Sequence, residues 1–179
     1  MPYLKALPDD AVVNHAFDAF PATSQPLRDY HDLLLRGPSQ FTEGERELIA
    51  GFVSGLNACI YCHGVHSATA EAYGIAEGLL TQLLDNVETA PVDDRMKPVL
   101  AYVRKLTLTP SRMTPADAEA VFAAGWDDKA LHDAVSVCAL FNFMNRLVEG
   151  LGIKAGADYF KEAAVRLRDD GYGGQVDPR

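Results

Sequence analysis

The segment Thr42–His66, TEGERELIAGFVSGLNACIYCHGVH, contains the features that decide the fold. Thr42-Glu43-Gly44-Glu45 matches the capping box, in which a hydroxyl and a carboxylate bond to free backbone amides at the start of a helix. The helix that follows has one apolar side, and its other side carries Glu47 on a stripe of small residues. We predict that a second helix packs closely against this stripe, which consists of Glu47, Gly51, Ser54 and Ala58.

The second half of the segment holds two cysteines and two histidines within Cys59–His66, CIYCHGVH. One uninterrupted helix would separate Glu47 from Cys59 by roughly 18 Å along its axis. A break at Asn57-Ala58 would instead allow the cysteine segment to fold back against the Glu47 face. We therefore predict two helices joined by a bend at these two residues.

Apolar residues recur at helical spacing along nearly the whole chain, and no run of strict alternation indicates a β-strand. The sequence therefore predicts an all-α protein with a single domain at residues 1–170 and a Gly-rich flexible tail at residues 171–179. The predicted helices are Asp9–Phe20, a second from Ser24 to Gly37, a third from Thr42, the cysteine segment to Tyr73, Ile75–Asn86, Asp94–Leu106, Thr114–Gly125, Asp128–Glu149 and Ala155–Asp169.

The overall charge and composition argue against several classes of partner. The 179 residues are 48% hydrophobic and carry a formal net charge of -9, which would repel nucleic acid and anionic membrane surfaces. The sequence shows neither an export signal nor an apolar run of the ~18 residues that a membrane-spanning helix needs. We therefore expect a soluble, cytoplasmic protein with no nucleic-acid or membrane partner.

The cysteine segment is compatible with two kinds of bound group. Cys59-Ile60-Tyr61-Cys62-His63 has the spacing of covalent haem attachment, although that chemistry is normally completed outside the cytoplasm. A zinc ion could use Cys59, Cys62 and His66 together with one more histidine. Structural zinc usually replaces a missing core, whereas this chain has ample apolar sequence to build one. The candidates for the fourth zinc ligand are His63, His31 and His15.

A redox-active thiol pair explains more of these residues than haem or zinc does. At positions i, i+3 and i+7 of a helix, Cys59, Cys62 and His66 would lie along one face. A thiol that reacts at neutral pH needs a base or a positive dipole nearby to lower its pKa. His66 and the start of the helix could supply both, and Glu47 is the candidate that would orient the histidine.

The arrangement of Glu47, eleven residues, Cys59-x-x-Cys62, three residues and His66 resembles the alkylhydroperoxidase D-like (AhpD-like) members of the carboxymuconolactone decarboxylase superfamily. The stretch from Glu45 to His66 is most similar to the branch of peroxidase-related proteins, and Phe141–Arg146 shows a weaker similarity. The resemblance implies an AhpD-like helical bundle that assembles as a homo-oligomer, either a trimer or a hexamer.

The same resemblance implies a thiol peroxidase cycle with an antioxidant role. Cys62 would attack a hydroperoxide as a thiolate, with His66 and Glu47 forming a proton relay through water. Cys59 would resolve the resulting sulfenic acid to a disulfide, which a dithiol such as a lipoyl group or a thioredoxin-like protein would reduce. The resemblance implies no cofactor beyond this redox-active disulfide.

Two neighbours of Cys62, Tyr61 and His63, are candidate supporting residues. The best-known family members carry histidine where this chain has Tyr61, and tyrosine is a poor base near neutral pH. This departure bears on the efficiency of the relay and on the physiological substrate. His63 lies on the helix face next to that of Cys62, so its predicted role rests on proximity.

Other residues with reactive or polar side chains receive structural interpretations. Cys138 lies in an apolar helix, where a buried thiol behaves as a small hydrophobic group. Asn142 and Arg146 share one face of that helix and are predicted to support the structure. The remaining histidines, His15, His31 and His132, lie in ordinary amphipathic helices and receive no catalytic role.

Two alternative functions remain open at the level of the sequence. A thiol–disulfide oxidoreductase would use Cys59 as its attacking sulfur, since Cys59 lies nearer the helix start and is expected to be more exposed. A non-catalytic helical oligomer would use its thiols or a zinc ion to control assembly, and Glu47→Gln would then leave its behaviour unchanged.

Overall fold

A computed structural model of the chain describes residues 1–173, and these residues form helices and loops without any β-strand. The all-α prediction is therefore confirmed. The helices are α1 Val13–Ala19, α2 Pro21–Arg36, α3 Glu43–Leu56, α4 Ile60–Ala72, α5 Leu79–Asp85, α6 Met96–Leu108, α7 Pro115–Ala123, α8 Asp128–Leu151 and α9 Ala157–Asp169, with a 3-10 turn at Pro110–Arg112.

The predicted break between the third and fourth helices is present, and it sets the position of the site. The Thr42 hydroxyl caps α3 by accepting from the Glu45 amide, as the capping box requires. After α3 ends, Ala58 adopts a left-handed conformation with φ of 54°. Cys59 then precedes α4, and its amide donates to the Ser54 carbonyl at 3.0 Å. The chain reverses at this bend, and α4 runs back along α3.

Small residues on the facing surfaces allow α4 to lie close to its neighbours, as predicted for the stripe on α3. A methyl group added to Gly51 would lie 3.4 Å from the Ser67 backbone nitrogen and 3.2 Å from Leu80. On the other side of α4, a methyl group on Gly64 would lie 2.2 Å from the Phe160 ring of α9. Glycine at position 64 therefore leaves room for the Phe160 ring in the packing of α4 against α9.

The left-handed conformation of Ala58 at the bend is unfavourable for alanine, so replacing this residue should change the stability of the protein. Ala58 is exposed, so glycine would relieve the backbone cost without losing buried contacts. We expect Ala58→Gly to raise the free energy of unfolding by up to about 1 kcal/mol. Glycine removes the cost of the left-handed conformation, and the greater entropy of the unfolded glycine variant offsets part of this gain. Urea denaturation measures this change.

A matched control is the same substitution in an ordinary helical position. Ala101 is exposed within α6, where glycine should lower the free energy of unfolding by about 1 kcal/mol. Equal losses of stability in the Ala58 and Ala101 variants would contradict the bend described here.

The longest helix, α8, packs along α3 and is tied to it by a buried amide network. The Asn57 side chain donates to Asn142 Oδ1 at 3.1 Å and to Asn145 Oδ1 at 2.9 Å. Asn145 in turn donates to Ser54 Oγ at 2.9 Å. Asn145 is almost completely buried, so the network satisfies polar groups that would otherwise be unpaired beside the bend.

Several boundaries differ from the sequence predictions, among them that of α1, which begins at Val13 rather than at Asp9. Helix α2 begins at Pro21 rather than at Ser24, because proline is tolerated in the first helical turn, where its missing amide hydrogen is not needed. Helix α5 begins only at Leu79, after a left-handed Gly78. Within the predicted flexible tail at residues 171–179, the amide and the hydroxyl of Tyr172 bond to Asp32 of α2 and to Glu47 of α3. The remainder of that prediction lies outside the described residues.

Candidate active site

Glu47 lies at the centre of a buried polar cluster between α2, α3 and α4. Its side chain has no exposed surface, and each carboxylate oxygen accepts from a basic group. Oε2 accepts from His66 Nδ1 at 2.6 Å, and Oε1 accepts from Arg36 Nη2 at 2.6 Å. The Tyr172 hydroxyl also donates to Oε1 at 2.8 Å. The structure thus brings Glu47 and His66 together, as the sequence hypothesis required.

These contacts keep Glu47 ionised although it is buried. Burial alone would raise the pKa of its carboxyl group. The charge and hydrogen bond of His66, followed by those of Arg36, outweigh burial and hold the Glu47 pKa below its ordinary value. An ionised carboxylate is therefore present at neutral pH to orient the imidazole.

The imidazole of His66 is held in one orientation. Because a carboxylate only accepts hydrogen bonds, Nδ1 carries a hydrogen, and Nε2 is the nitrogen left for the cavity. The Phe141 ring and the imidazole pack in a T-shaped arrangement, with centroids 4.3 Å apart and an interplanar angle of 75°. No hydrogen bond joins His66 directly to a sulfur among residues 1–173, so proton transfer to Cys62 needs an intervening water or substrate.

The two cysteines occupy different positions at the start of α4. Cys59 is the residue that precedes the first turn, and Cys62 lies within that turn. Both thiols are free. The Cys62 thiol donates to Cys59 and so lowers the Cys59 pKa, to which the Cys62 backbone amide also contributes, although burial opposes this change. Hydrogen bonding to Cys59, followed by burial, raises the Cys62 pKa well above its ordinary value.

The position of Cys59 differs from the sequence prediction in one respect. It was expected to be the more exposed sulfur, but it has no exposed surface, whereas Cys62 retains 3%. The reason is the bend, which turns Cys59 inward against α8 before α4 begins. Only Cys62 of the pair lines the neighbouring cavity.

This cavity has a volume of about 50 Å³ and is enclosed mainly by apolar side chains. Cys62 and His66 both contribute to its wall, so a small molecule in the cavity can contact the sulfur and the imidazole together. Since one water probe needs roughly 10–15 Å³ of such volume, the cavity holds a few atoms of a ligand and no more. The remaining walls include Phe17, Val65, Phe141, Met144 and Tyr172.

The two supporting candidates, Tyr61 and His63, point in different directions. Tyr61 lines the cavity and donates to the Tyr159 hydroxyl at 2.9 Å. Burial, followed by the neighbouring Tyr159, raises the Tyr61 pKa well above its ordinary value, so Tyr61 stays a neutral hydroxyl. His63 Nδ1 lies 2.9 Å from the Gly51 carbonyl oxygen, where it joins α4 to α3.

Three residues of the cluster were not identified from the sequence. Arg36 stands at the end of α2, and Tyr172 belongs to the predicted flexible tail. His31, which received no role, stacks on Tyr172 with ring centroids 5.1 Å apart. Burial lowers the His31 pKa to about 4, so the ring is uncharged at neutral pH. No local pattern marks these residues, because each reaches the site from a distant helix or loop.

The structural interpretations of other residues agree with their positions. Cys138 is buried in α8 and lies 3.3 Å from the Thr107 hydroxyl. Arg146 donates to the Asn142 carbonyl within its own helix at 2.6 Å. The ligand set considered for zinc is not assembled, since no three histidine, cysteine or acidic side chains within residues 1–173 are grouped to hold a metal ion.

The solved structures similar to this chain include two peroxidase-related proteins. An uncharacterized peroxidase-related protein from Silicibacter sp. TM1040 is 28% identical, with a TM-score of 0.77 over 83% of this chain and 78% of the other. The alkylhydroperoxidase AhpD core of an uncharacterized peroxidase-related protein from Ralstonia eutropha JMP134 is 26% identical, with a TM-score of 0.75 over 81% of this chain and 76% of the other.

Other comparisons add no further relative. No protein-family model matches the chain, and no curated protein matches it. Within the described residues, no helix combines the length and the apolar character that crossing a membrane requires.

Proposed function

We propose that this chain, which has the AhpD-like helical fold of peroxidase-related proteins, is a cysteine peroxidase that reduces hydroperoxides. The observation that carries the proposal is the shared cavity of Cys62 and His66, with an ionised Glu47 bonded behind the imidazole. A nucleophilic sulfur next to an oriented acid–base group is the arrangement that peroxide reduction needs.

The first step requires a thiolate at Cys62. Because hydrogen bonding within the pair lowers the Cys59 pKa and raises the Cys62 pKa, Cys59 is the first of the two thiols to lose its proton. Transfer of the Cys62 proton to the Cys59 thiolate then produces the Cys62 thiolate, which faces the cavity. The thiolate attacks one peroxide oxygen, and the O–O bond breaks as the S–O bond forms.

The leaving oxygen then needs a proton. Paired with an ionised Glu47, His66 can carry a second proton on Nε2 and deliver it to the departing alkoxide. The products are Cys62 sulfenic acid and an alcohol, or water when the substrate is hydrogen peroxide. Cys59, now a thiol, attacks Cys62 and releases water, which leaves a Cys59–Cys62 disulfide.

A dithiol reductant closes the cycle by thiol–disulfide exchange, becoming a disulfide itself while it restores both cysteines. We propose a lipoyl group or a thioredoxin-like protein for this role and a homo-oligomer, trimeric or hexameric, as the working form. No further cofactor is part of the proposal, and we place the protein in the cytoplasm, where such reductants operate.

Disulfide mapping tests this cycle before any physiological substrate is known. Substoichiometric hydrogen peroxide, added to the reduced protein, should give a Cys59–Cys62 disulfide by mass spectrometry. Cys138 should remain a free thiol, since it lies apart from the pair and serves as an internal control. Oxidation that is equal at all three cysteines would argue against a dedicated site.

Thiol–disulfide exchange is a second candidate function, and the lowered pKa of Cys59 favours it. The sulfur whose pKa is lowered is Cys59, at the start of a helix, as expected for an attacking thiol in such reactions. Its complete burial opposes this candidate, because a protein disulfide could reach it only if the bend opened.

The relative reactivity of the two cysteines separates these candidates. We expect iodoacetamide to modify Cys62 faster than Cys59, because only Cys62 lines the cavity. We also expect thiolate absorbance near 240 nm to appear at pH values below about 8.5, the ordinary pKa of a thiol. This absorbance should be lost in Cys59→Ser. Faster modification of Cys59, measured by peptide mapping, would favour the exchange function instead.

A further inference from the structure

The segment Gly171–Gly173, which follows the last helix, returns to the candidate site. Its central residue, Tyr172, lines the cavity and donates its hydroxyl hydrogen to Glu47 Oε1 at 2.8 Å. The same hydroxyl lies 3.4 Å from His66 Nδ1. Tyr172 therefore contacts both members of the proposed relay.

Contacts with α2 fix the position of this tyrosine. The Tyr172 amide donates to Asp32 Oδ1 at 2.6 Å. The ring stacks on His31, with centroids 5.1 Å apart, and lies 5.0 Å from the guanidinium carbon of Arg36. The ring is thus held in place by one hydrogen bond to its backbone and by contacts with two flat side chains.

The glycines beside Tyr172 leave room for this approach. Gly171 has φ of +70°, and a methyl group there would lie 2.7 Å from Asp32 Oδ1. A methyl group on Gly173 would lie 2.8 Å from Asp32 Oδ2. The Gly-Tyr-Gly sequence therefore allows the backbone to reach Asp32 and places the aromatic ring between α2 and the cavity.

We propose that Tyr172 is a specificity-determining and positioning residue, a role that rests on the proposed peroxidase function. Its ring fills the space beside His66, so that the cavity accepts hydrogen peroxide and excludes hydroperoxides that carry a phenyl group. Its hydroxyl holds Glu47 in the orientation that the imidazole needs.

The chemistry of the cluster is consistent with a donor role for this hydroxyl. Burial, followed by the charge of Glu47, raises the Tyr172 pKa well above its ordinary value, so the hydroxyl keeps its hydrogen at neutral pH. Glu47 Oε1 thereby accepts from two donors, Tyr172 and Arg36. The tyrosine restrains the carboxylate without adding a charge.

The volume of the cavity limits the size of the substrate. At about 50 Å³, the space beside Cys62 is too small for an aromatic ring. Removing the Tyr172 side chain beyond its β-carbon would open space comparable to that of engineered cavities that bind benzene. Tyr172→Ala should therefore admit cumene hydroperoxide, whereas Tyr172→Phe should keep the cavity closed.

Steady-state kinetics with the two peroxides tests this assignment. In Tyr172→Ala we expect the ratio of kcat/KM for cumene hydroperoxide to that for hydrogen peroxide to rise by about tenfold or more. In Tyr172→Phe the ratio should stay constant, while kcat/KM falls about tenfold for both peroxides because a charge-assisted hydrogen bond to Glu47 is lost. Tyr30→Ala, an exposed tyrosine on α2, is the matched control.

Labelling of Cys62 gives a second measurement that needs no peroxidase activity. N-phenylmaleimide should modify Cys62 faster in Tyr172→Ala than in the wild type, while iodoacetamide should modify both alike. If Tyr172→Ala does not fold, judged by circular dichroism, Asp32→Ala releases the same segment and should shift labelling in the same direction.

An unchanged peroxide ratio together with unchanged N-phenylmaleimide labelling in a folded variant would overturn the role of Tyr172. Absence of peroxide turnover in the wild type, with labelling changed as expected, would instead overturn the peroxidase function and leave Tyr172 as the wall of the Cys62 cavity.

Discussion

A Cys62→Ser variant is expected to lose peroxide consumption, with kcat/KM reduced by about 10⁴-fold or more, as when other enzymes lose their nucleophile. The serine hydroxyl is not ionised at neutral pH, and its oxygen is a far weaker nucleophile toward peroxide than a thiolate. The assay is hydrogen peroxide loss in the presence of dithiothreitol, which replaces the unknown reductant.

The matched control for this variant is Cys138→Ser. Cys138 is a third buried thiol, which contacts Thr107 in the interior of α8 and takes no part in the proposed cycle. Its replacement should leave peroxide consumption close to that of the wild type. Turnover that survives in Cys62→Ser and disappears in Cys138→Ser would require a different site.

Replacing Glu47 with glutamine is expected to lower both activity and stability. The change keeps the shape of the side chain but removes the charge to which His66 and Arg36 donate. We expect kcat/KM to fall roughly 10²–10⁴-fold, the usual contribution of acid–base catalysis. Leaving Arg36, whose side chain is 16% exposed, without its anion should lower the free energy of unfolding by up to about 3 kcal/mol, the lower end of the range for fully buried pairs.

The loss of stability should depend on pH in a defined direction. Because the folded protein holds the Glu47 pKa below its ordinary value of 4.5, the ionised carboxylate stabilises the fold at pH values above 4.5. That stabilisation is lost as the pH falls through the lower, folded pKa. The difference between wild type and Glu47→Gln should therefore be largest near neutral pH and should shrink in acid.

Urea denaturation across this pH range measures the effect, with Glu162→Gln as the control. Glu162 is exposed on α9, so its replacement should change neither activity nor the pH dependence of stability. A Glu47→Gln variant with wild-type activity and wild-type stability would show that this carboxylate is not part of the proposed relay.

The sequence was sufficient to predict the core of the site because its parts are close in the chain. Glu47 stands out on a face of small residues, and Cys62 and His66 follow a bend. The bend was expected because one continuous helix would hold the cysteine segment too far from Glu47. The bend was found from this distance argument although no glycine marks it. Once α4 folds back along α3, the pairing of Glu47 with His66 follows.

The rest of the site depends on contacts that local patterns do not encode. Arg36 looked like an ordinary basic residue at a helix end, and Tyr172 stood in a stretch rich in glycine. His31 lies on α2, whose rotation is set by packing against α3 and α8 rather than by its own spacing. Asn145 was overlooked because amides in an apolar helix gain their roles only from partners such as Asn57 and Ser54.

The order of proton loss in the cysteine pair also could not be predicted. The sequence placed a base near Cys62, whereas in the structure Cys59 precedes the helix and is the sulfur of the pair whose pKa is lowered, through hydrogen bonding to Cys62. Attack by Cys62 therefore involves its partner sulfur as the nearest proton acceptor. Cys59 would thus act before the peroxide bond breaks and again when the sulfenic acid is resolved.

Trapping the sulfenic acid tests most directly whether Cys62 is the sulfur that peroxide oxidises. In a Cys59→Ser variant the intermediate cannot be resolved. It should form more slowly there, because the partner sulfur no longer accepts the Cys62 proton, and dimedone present during a long incubation with one equivalent of hydrogen peroxide should label it. Peptide mass spectrometry is expected to find the dimedone adduct on Cys62 alone. No adduct on Cys62, together with an adduct on Cys59 in a Cys62→Ser variant, would contradict the proposed roles.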